Sequence, residues 1–338
     1  MSSRMRSKRL VVALSAFVLV LPVMLAGTAQ GQANKIFAAI GTAPPDLTLQ
    51  TYHFARENGF YQAEGIEVEL TAYNGDATAM RALTAGEADI AAIGLAIPLK
   101  AIEVGAKVKV VFASSPKMDY LLIAQKGITS AKGLEGKNVG VSGPGAVSYQ
   151  VPLLMVKAAG GDPGKVNFVS IGGSAARTLA LIGKKIDGGV LNTSFASRTA
   201  KYDYLHSIGD AALDLPNFIY VVEVASEKAI QQKRAAIQAF TTATLRGARW
   251  AMQNPEAAML ISQKILPDVA KDEIASGLRH FAKTEYYNVN GALRKEAWDF
   301  TVDELVKGGE IKQRLNYSDH VMPEFAQAAA KKLGPYKR

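Results

Sequence analysis

The chain has 338 residues, 49% of them hydrophobic and 20% charged, with 39 Lys and Arg against 30 Asp and Glu. This length exceeds what one hydrophobic core usually serves, and the composition is that of a folded globule, so two lobes are expected and a disordered or fibrous chain is excluded. The absence of cysteine excludes disulfides, a thiol nucleophile, thiolate metal sites and a lipid-bearing cysteine.

The first residues, "MSSRMRSKR", carry Arg4, Arg6, Lys8 and Arg9 with no acid, and the apolar run "LVVALSAFVLVLPVMLA" follows. The pattern predicts a secretory signal over residues 1–33, with Gly31 and Ala33 as the small residues before the cut. A membrane anchor fits less well, because the apolar run is 17 residues long and holds Pro22, whereas a span needs about 20. Removing residues 1–33 takes four basic residues from the 39, leaving 35 against 30 acids, a net charge of +5. The remaining basic residues are scattered at helical spacing, as on a solvated face, so no nucleic-acid partner is expected. A soluble exported protein, acting as a monomer in the periplasm, is the expectation.

From residue 35 short strands alternate with helices. "KIFAAIG" reads as a strand, "LTLQTYHFARENGFYQAEG" as a helix and "IEVELTAYN" as a strand. "ATAMRALTAGEA", "DIAAIG", "IPLKAIEVG" and "KVKVVFASS" continue as helix, strand, helix and strand. Strands joined by crossover helices predict a parallel sheet covered on both faces. After residue 116 the alternation restarts with "MDYLLIAQ" and "NVGVSG" as strands, "SYQVPLLMVKAAG" as a helix, "VNFVSIG" as a strand, "SAARTLALIGKK" as a helix and "IDGGVLN" as a strand. Two stretches echo each other: "ALTAGEAD" before "IAAIG" and "ALIGKKID" before "GGVLN". Each closes a helix and opens a strand, as expected of two similar lobes. Beyond residue 219 a strand, "FIYVVEVA", precedes a helical region. Ile237, Phe240, Thr244, Ala248 and Ala251, then Ile274, Leu278 and Phe281, then Trp298, Val302 and Leu305 form apolar stripes that predict core faces. These helices need a sheet to cover, so the chain is expected to leave the first lobe near 115 and return near 219.

The order "ARENGFYQAEGIEVEL", "ALTAGEADIAAIG", "GLEGKNVGVSGPG", "VNFVSIGGSAARTLALIGKKIDGGVL" and "FTTATLRGARWAMQNPEAA" resembles the nitrate/sulfonate/taurine group of ABC-transporter solute-binding proteins, the NMT1/THI5-like family. The resemblance implies an α/β chain of the type II periplasmic-binding-protein fold: two α/β lobes joined by two crossover strands, with a ligand cleft between them. Lobe I would comprise 34–115 plus 219–338 and lobe II 116–218. It further implies capture of a small organic solute and delivery to an ABC permease, with no cofactor.

In open α/β sheets ligands sit beyond the carboxyl ends of the strands, where helix N-termini present free N–H groups. The candidates at those junctions in lobe I are Thr42, Asn74, Thr78, Gly94 and Leu95, with Gly75 beside them. In lobe II they are Tyr120, Gly145, Ala146, Ser148, Gly173, Ser174, Asn192 and Thr193. Any one of them also reads as an ordinary cap or turn residue, and Asp76 as an N-cap that would repel an anion. Leu95, Ala96 and Ile97 follow Gly94 where several oxyanion-binding relatives carry hydroxyl residues, which favours an organic ligand with a polar end, such as a sulfonate or carboxylate. Arg177 and Arg198 lie near lobe II junctions as candidate clamps for such an anion, although Arg177 reads better as a surface residue on its helix flank.

The family name includes a thiamin-precursor synthase and some relatives are desulfinases, so an enzyme is the alternative class; a ligand sensor feeding a membrane receptor is a third. The chain has no H-E-x-x-H, G-x-S-x-G or G-x-x-x-x-G-K-[ST] motif. His53, His206, His280 and His320 are widely separated, and Asp303 and Glu304 read as a solvated helix face. No catalytic residue and no metal ligand is assigned.

Overall fold

The computed structural model describes residues 34–43, 46–143 and 146–337. The expected signal segment and Gly145 lie outside them. Among the described residues, ten strands form two five-stranded sheets. The first contains β1 (Lys35–Ile40), β2 (Glu67–Ala72), β3 (Ile90–Gly94), β4 (Val108–Phe112) and β10 (Val221–Ser226), in the order β2-β1-β3-β10-β4. The second contains β5 (Leu121–Gln125), β6 (Asn138–Val141), β7 (Asn167–Ser170), β8 (Gly188–Leu191) and β9 (Leu205–Asp210), in the order β7-β6-β8-β5-β9.

The two orders are the same pattern. In each sheet three strands run parallel, and one strand adjoining a crossover is inserted antiparallel between the third and the edge strand: β10 in the first sheet, β5 in the second. Both inserted strands shift register against their edge partner, at Glu223/Val224 and at Leu122/Ile123. The echoed sequence units do the same work in each. Asp89 accepts from Phe37 N at 3.0 Å and returns its own N–H to Phe37 O. Asp187 accepts from Asn138 N at 2.8 Å and returns its N–H to Asn138 O. Each aspartate thus pins the start of its strand to the neighbouring parallel strand by a charge-assisted bond, which sets the register of β3 on β1 and of β8 on β6.

The apolar stripes are core faces, as their spacing predicts. Ile237, Phe240, Thr244, Ala248 and Ala251 of the helix Glu227–Gln253 are all buried, as are Ile274, Leu278, Phe281, Trp298, Val302 and Leu305. Phe240 stacks on Tyr61 at 5.4 Å and joins a cluster with Tyr52, Ile36 and Val221, so the helices after β10 cover the first sheet. Three local readings are corrected. The helix expected over 47–65 is two short helices, Thr51–Glu57 and Phe60–Ala63, because Gly59 turns the chain at φ +69°. The edge strand β9 was not anticipated; its half-exposed, polar sequence "LHSIGD" has little strand signature. Asp303 and Glu304 are half-buried and not simply solvated, Glu304 pairing with Lys307 and Lys157 and Asp303 with Arg314.

The crossovers lie side by side. Tyr220 N donates to Pro116 O at 2.7 Å. Glu223, fully buried in β10, accepts from Ser114 N at 2.9 Å, from Ser114 Oγ at 2.5 Å and from the Tyr52 hydroxyl. Burial pushes this carboxyl up to about 7 from 4.5, against the lowering effect of its three donors. A folded pKa above the unfolded one means that the native state holds the extra proton. The contribution is therefore full below about 4.5 and is lost as pH rises through 7, by about 3 kcal/mol in all. Glu223→Gln should flatten the fall of Tm between those pH values; scanning calorimetry from pH 4 to 8 checks it, and an unchanged slope contradicts it.

Candidate functional site

The carboxyl ends of both sets of parallel strands face each other across the crossovers. From the first sheet, β3 ends in Gly94 and Leu95, and Leu95 N donates to Tyr220 O at 2.7 Å. Asp76 is not the N-cap that was expected. Gly75 occupies that position with φ +99°, and Asp76, the first residue of the helix Asp76–Ala85, turns its side chain to accept from Gly94 N at 3.0 Å. Its carboxylate lies over the ends of β1 and β3, where a side chain at Gly41 would come within 2.0 Å of Oδ1 and one at Gly94 within 2.9 Å of Oδ2. Gly94, Leu95 and Asp76 then meet Ala146 of the second half, with Gln150 and Tyr220, around a cavity of about 240 Å³.

From the second sheet, Ser174, Asn192, Thr193 and Tyr120 join one hydrogen-bonded network. Ser174 Oγ donates to Asn192 Oδ1 at 2.7 Å, and Asn192 Nδ2 donates to Asp119 O at 3.2 Å. Asp119 Oδ1 accepts from Thr193 N at 3.1 Å and from the Thr193 hydroxyl. The centre of the network is Arg177, which is 1% exposed. The reading of Arg177 as a surface residue is overturned: it stands one turn after Ser174 on the face packed against the sheet. Nε donates to Val190 O at 2.8 Å, Nη1 to Ser142 Oγ at 2.9 Å and to Gly172 O at 2.5 Å, and Nη2 to Ser174 Oγ at 3.0 Å. A guanidinium has five N–H donors, and these partners engage four of them, with the phenol of Tyr120 nearby. Arg198 is equally committed, through a two-pronged pair with Glu273 at 2.9 and 2.8 Å.

The other expected residues are placed differently. Ser148 is buried and its Oγ accepts from Ser142 N at 2.8 Å, so it orders the loop after β6. Asn74 is exposed, and Thr78 makes a local bond to Asn74 O while accepting from Arg81. Gly173 is exposed at the N-cap of the helix Ser174–Ile182, and Thr42 is half-buried after β1. Sequence reasoning passed over Asp46, Asp119, Tyr220 and Tyr286. Asp46 and Asp119 sit in "APPD" and "MDY", where an isolated acid carries no periodic signal.

Burial raises the carboxyls of Asp76 and Asp119 to about 6, with their hydrogen-bond donors opposing and the charge of Asp46 adding to the rise. Asp46 is also raised, first by burial. Tyr220, at the returning crossover, is raised by burial and then by the charges of Tyr120, Asp76, Asp46 and Asp119 around it. The charges of Asp46, Asp76 and Asp119 thus act on Tyr220, at the crossover between the halves. A second recess, of about 380 Å³, lies beside the crossovers and is lined by Lys117, Phe218, Met252, Asn288 and Arg294. None of the strand-end residues reaches it.

This topology is that of the periplasmic-binding-protein fold. The chain belongs to the NMT1/THI5-like family, which it matches over residues 49–258. It is 24% identical over 225 residues to the formylaminopyrimidine-binding protein of Halalkalibacterium halodurans, an alignment spanning 64% of this chain and 66% of that protein. Among solved structures it resembles the periplasmic sulfonate-binding protein SsuA of Methylobacillus flagellatus, with a TM-score of 0.73 and 15% identity over 88% of this chain and 94% of that one. The desulfurization enzyme DSZB shares the fold, with a TM-score of 0.66 and 15% identity over 88% of this chain and 100% of that one.

Replacing Arg177 strips four acceptors of their donor, two of them in fully buried bonds to Val190 O and Ser174 Oγ, so Arg177→Met should lower stability by about 3 kcal/mol. Arg198→Ala, at a half-exposed ion pair, should cost about 1 kcal/mol or less. Urea denaturation of both variants decides it, and equal losses would contradict the assignment of Arg177 to a buried network.

Proposed function

We propose that the chain is the extracytoplasmic receptor of an ABC importer: it captures a small organic solute between two lobes, closes on it and presents it to a membrane permease. Lobe I would be 34–115 with 219–338, and lobe II 116–218. The observation that carries this reading is the convergence of Gly94, Leu95 and Asp76 from one sheet with Ala146 from the other on one cavity at the strand ends. Tyr220, at the crossover between the halves, lines the same cavity. The reading is supported by membership of a family that includes binding proteins, among them the formylaminopyrimidine-binding relative.

The chemistry present favours binding over turnover. Ser174, Thr193 and Ser148 have their hydroxyls committed to neighbouring protein groups, and none is hydrogen-bonded to a histidine or lysine base among the described residues. His280, beside Asp210 at 3.4 Å, is held below its ordinary pKa by burial and bridges the two halves at the side of the cleft. The enzyme reading takes its support from the fold shared with DSZB.

Closure has a structural basis in pairs that connect the two halves. Arg198 and Glu273 form the two-pronged pair already described, Gln150 Nε2 donates to Glu310 Oε1 at 3.1 Å, and Lys157 lies 3.7 Å from Glu304. Such pairs form only when the halves approach, so they bias the open-to-closed balance, and a ligand adds to that bias by as much as it prefers the closed form.

Native mass spectrometry of gently purified protein should show one small molecule per chain, recovered chemically unchanged after incubation. A converted product at more than one turnover per protein contradicts the receptor reading. With that molecule in hand, Arg198→Ala should weaken binding a few-fold, equivalent to about 1 kcal/mol or less. Isothermal titration measures this, and an unchanged affinity would remove the pair from the closing mechanism.

A further inference from the structure

The recess of about 380 Å³ beside the crossovers is lined by both of them, with Pro116 and Lys117 on the outgoing one and Pro216, Phe218 and Ile219 on the returning one. Its other wall comes from the segment before the helix Lys295–Lys307. Phe218 and Ile219 also line the strand-end cavity, so they form the partition between the two spaces. The floor is apolar and aromatic: Phe218, Ile219, Tyr287 and Ala297 are buried, and Met252 and Leu293 are half-buried. Tyr287 commits its hydroxyl to Leu47 O at 2.6 Å, so its ring is what it offers the recess.

Two cations border this floor with donors left over. Lys117 Nζ donates to Thr284 O, and Arg294 uses Nη2 alone, to Asn217 Oδ1 at 2.6 Å and to Pro216 O at 3.4 Å. An ammonium has three N–H donors and a guanidinium five. Neither side chain forms an ion pair with a carboxylate among the described residues, whereas Lys100, Lys157, Arg198 and Lys307 around the strand-end side all do. The lining holds a single acid, exposed Glu285, against the two cations. Burial holds the Lys117 ammonium below its ordinary pKa; the charge of Asp210 opposes this and that of Arg294 adds to it. An anion between Lys117 and Arg294 would offset both the burial and the repulsion.

We infer that this recess is a second binding site, separate from the strand-end cavity, for a small aryl anion: a ring bearing one sulfonate or carboxylate. The anionic oxygens take the remaining donors of Lys117 and Arg294, and the ring lies on Tyr287 and Phe218. An apolar pocket with a few polar groups at one side is the usual form of a small-molecule site, and charge-assisted bonds from both cations supply the selectivity for an anion. Lys117 belongs to the outgoing crossover and Arg294 holds Asn217 of the returning one, so the bound anion bears on both connections between the halves.

Isothermal titration of the intact protein with benzenesulfonate tests the inference, with neutral benzenesulfonamide and cationic benzylamine as probes of the same size. Benzenesulfonate should bind on the order of tenfold more tightly than either. Lys117→Gln should weaken that binding about tenfold, and Arg294→Gln, at an exposed side chain, several-fold. Ala292→Trp, which places an indole in the recess, should abolish it, whereas Gln150→Ala, on the strand-end cavity, should leave it unchanged. Ala292 and Arg294 are exposed, so those variants report even where Lys117→Gln misfolds. Equal binding of the three probes, no binding of benzenesulfonate at millimolar concentration, binding that survives Ala292→Trp, or binding lost only in Gln150→Ala overturns the inference. The site stands apart from the receptor reading, which turnover of the co-purified molecule would remove without bearing on this recess.

Discussion

The Glu223 carboxylate, sealed in the middle of the first sheet, is bound by the backbone and hydroxyl of Ser114 and by the hydroxyl of Tyr52. Ser114 belongs to the segment leaving the first sheet, Glu223 to the strand returning to it, and Tyr52 to the helix that covers both. A buried carboxylate without such donors would be strongly disfavoured, so the three groups hold one another in place. The strand ends of both halves are positioned from here. β10 fixes Tyr220, Tyr220 O holds Leu95 N, and Tyr220 N is held by Pro116 O on the outgoing crossover. Displacing Glu223 would disturb the crossovers and the strand ends beside them together.

Much of the architecture was legible because it is written in repeated local rules. Alternating strand and helix signals predicted the parallel strands but not the antiparallel strand inserted in each sheet, which makes both sheets mixed; the apolar stripes of the last third predicted which faces are buried. The two Ala-Leu-to-Asp stretches, weak as a sequence repeat, mark equivalent positions: Asp89 and Asp187 each lock the third parallel strand to the first. β9 escaped because an edge strand needs little hydrophobicity, and the break at Gly59 because one glycine within an apolar pattern looks tolerable.

The cleft was legible in outline only. Strand-end logic found Ser174, Asn192, Thr193 and Tyr120, which the fold gathers into one network, and Gly94, Leu95 and Ala146, which line one cavity. It misjudged Arg177, because the direction of a helical side chain depends on how the helix docks, and that is decided by the whole sheet. It passed over Asp46 and Asp119, whose isolated acids acquire meaning only when distant segments bring their charges together. Tertiary electrostatics, which couples Asp46, Asp76 and Asp119 from separate segments, is the level that local spacing does not reach.

The account depends on the ligand touching both halves, since contact with one half alone gives no preference for closure. Small-angle X-ray scattering of the protein stripped of its co-purified molecule, with and without that molecule added back to saturation, tests this most directly. The account predicts a smaller radius of gyration on addition; an unchanged radius at full occupancy would contradict it.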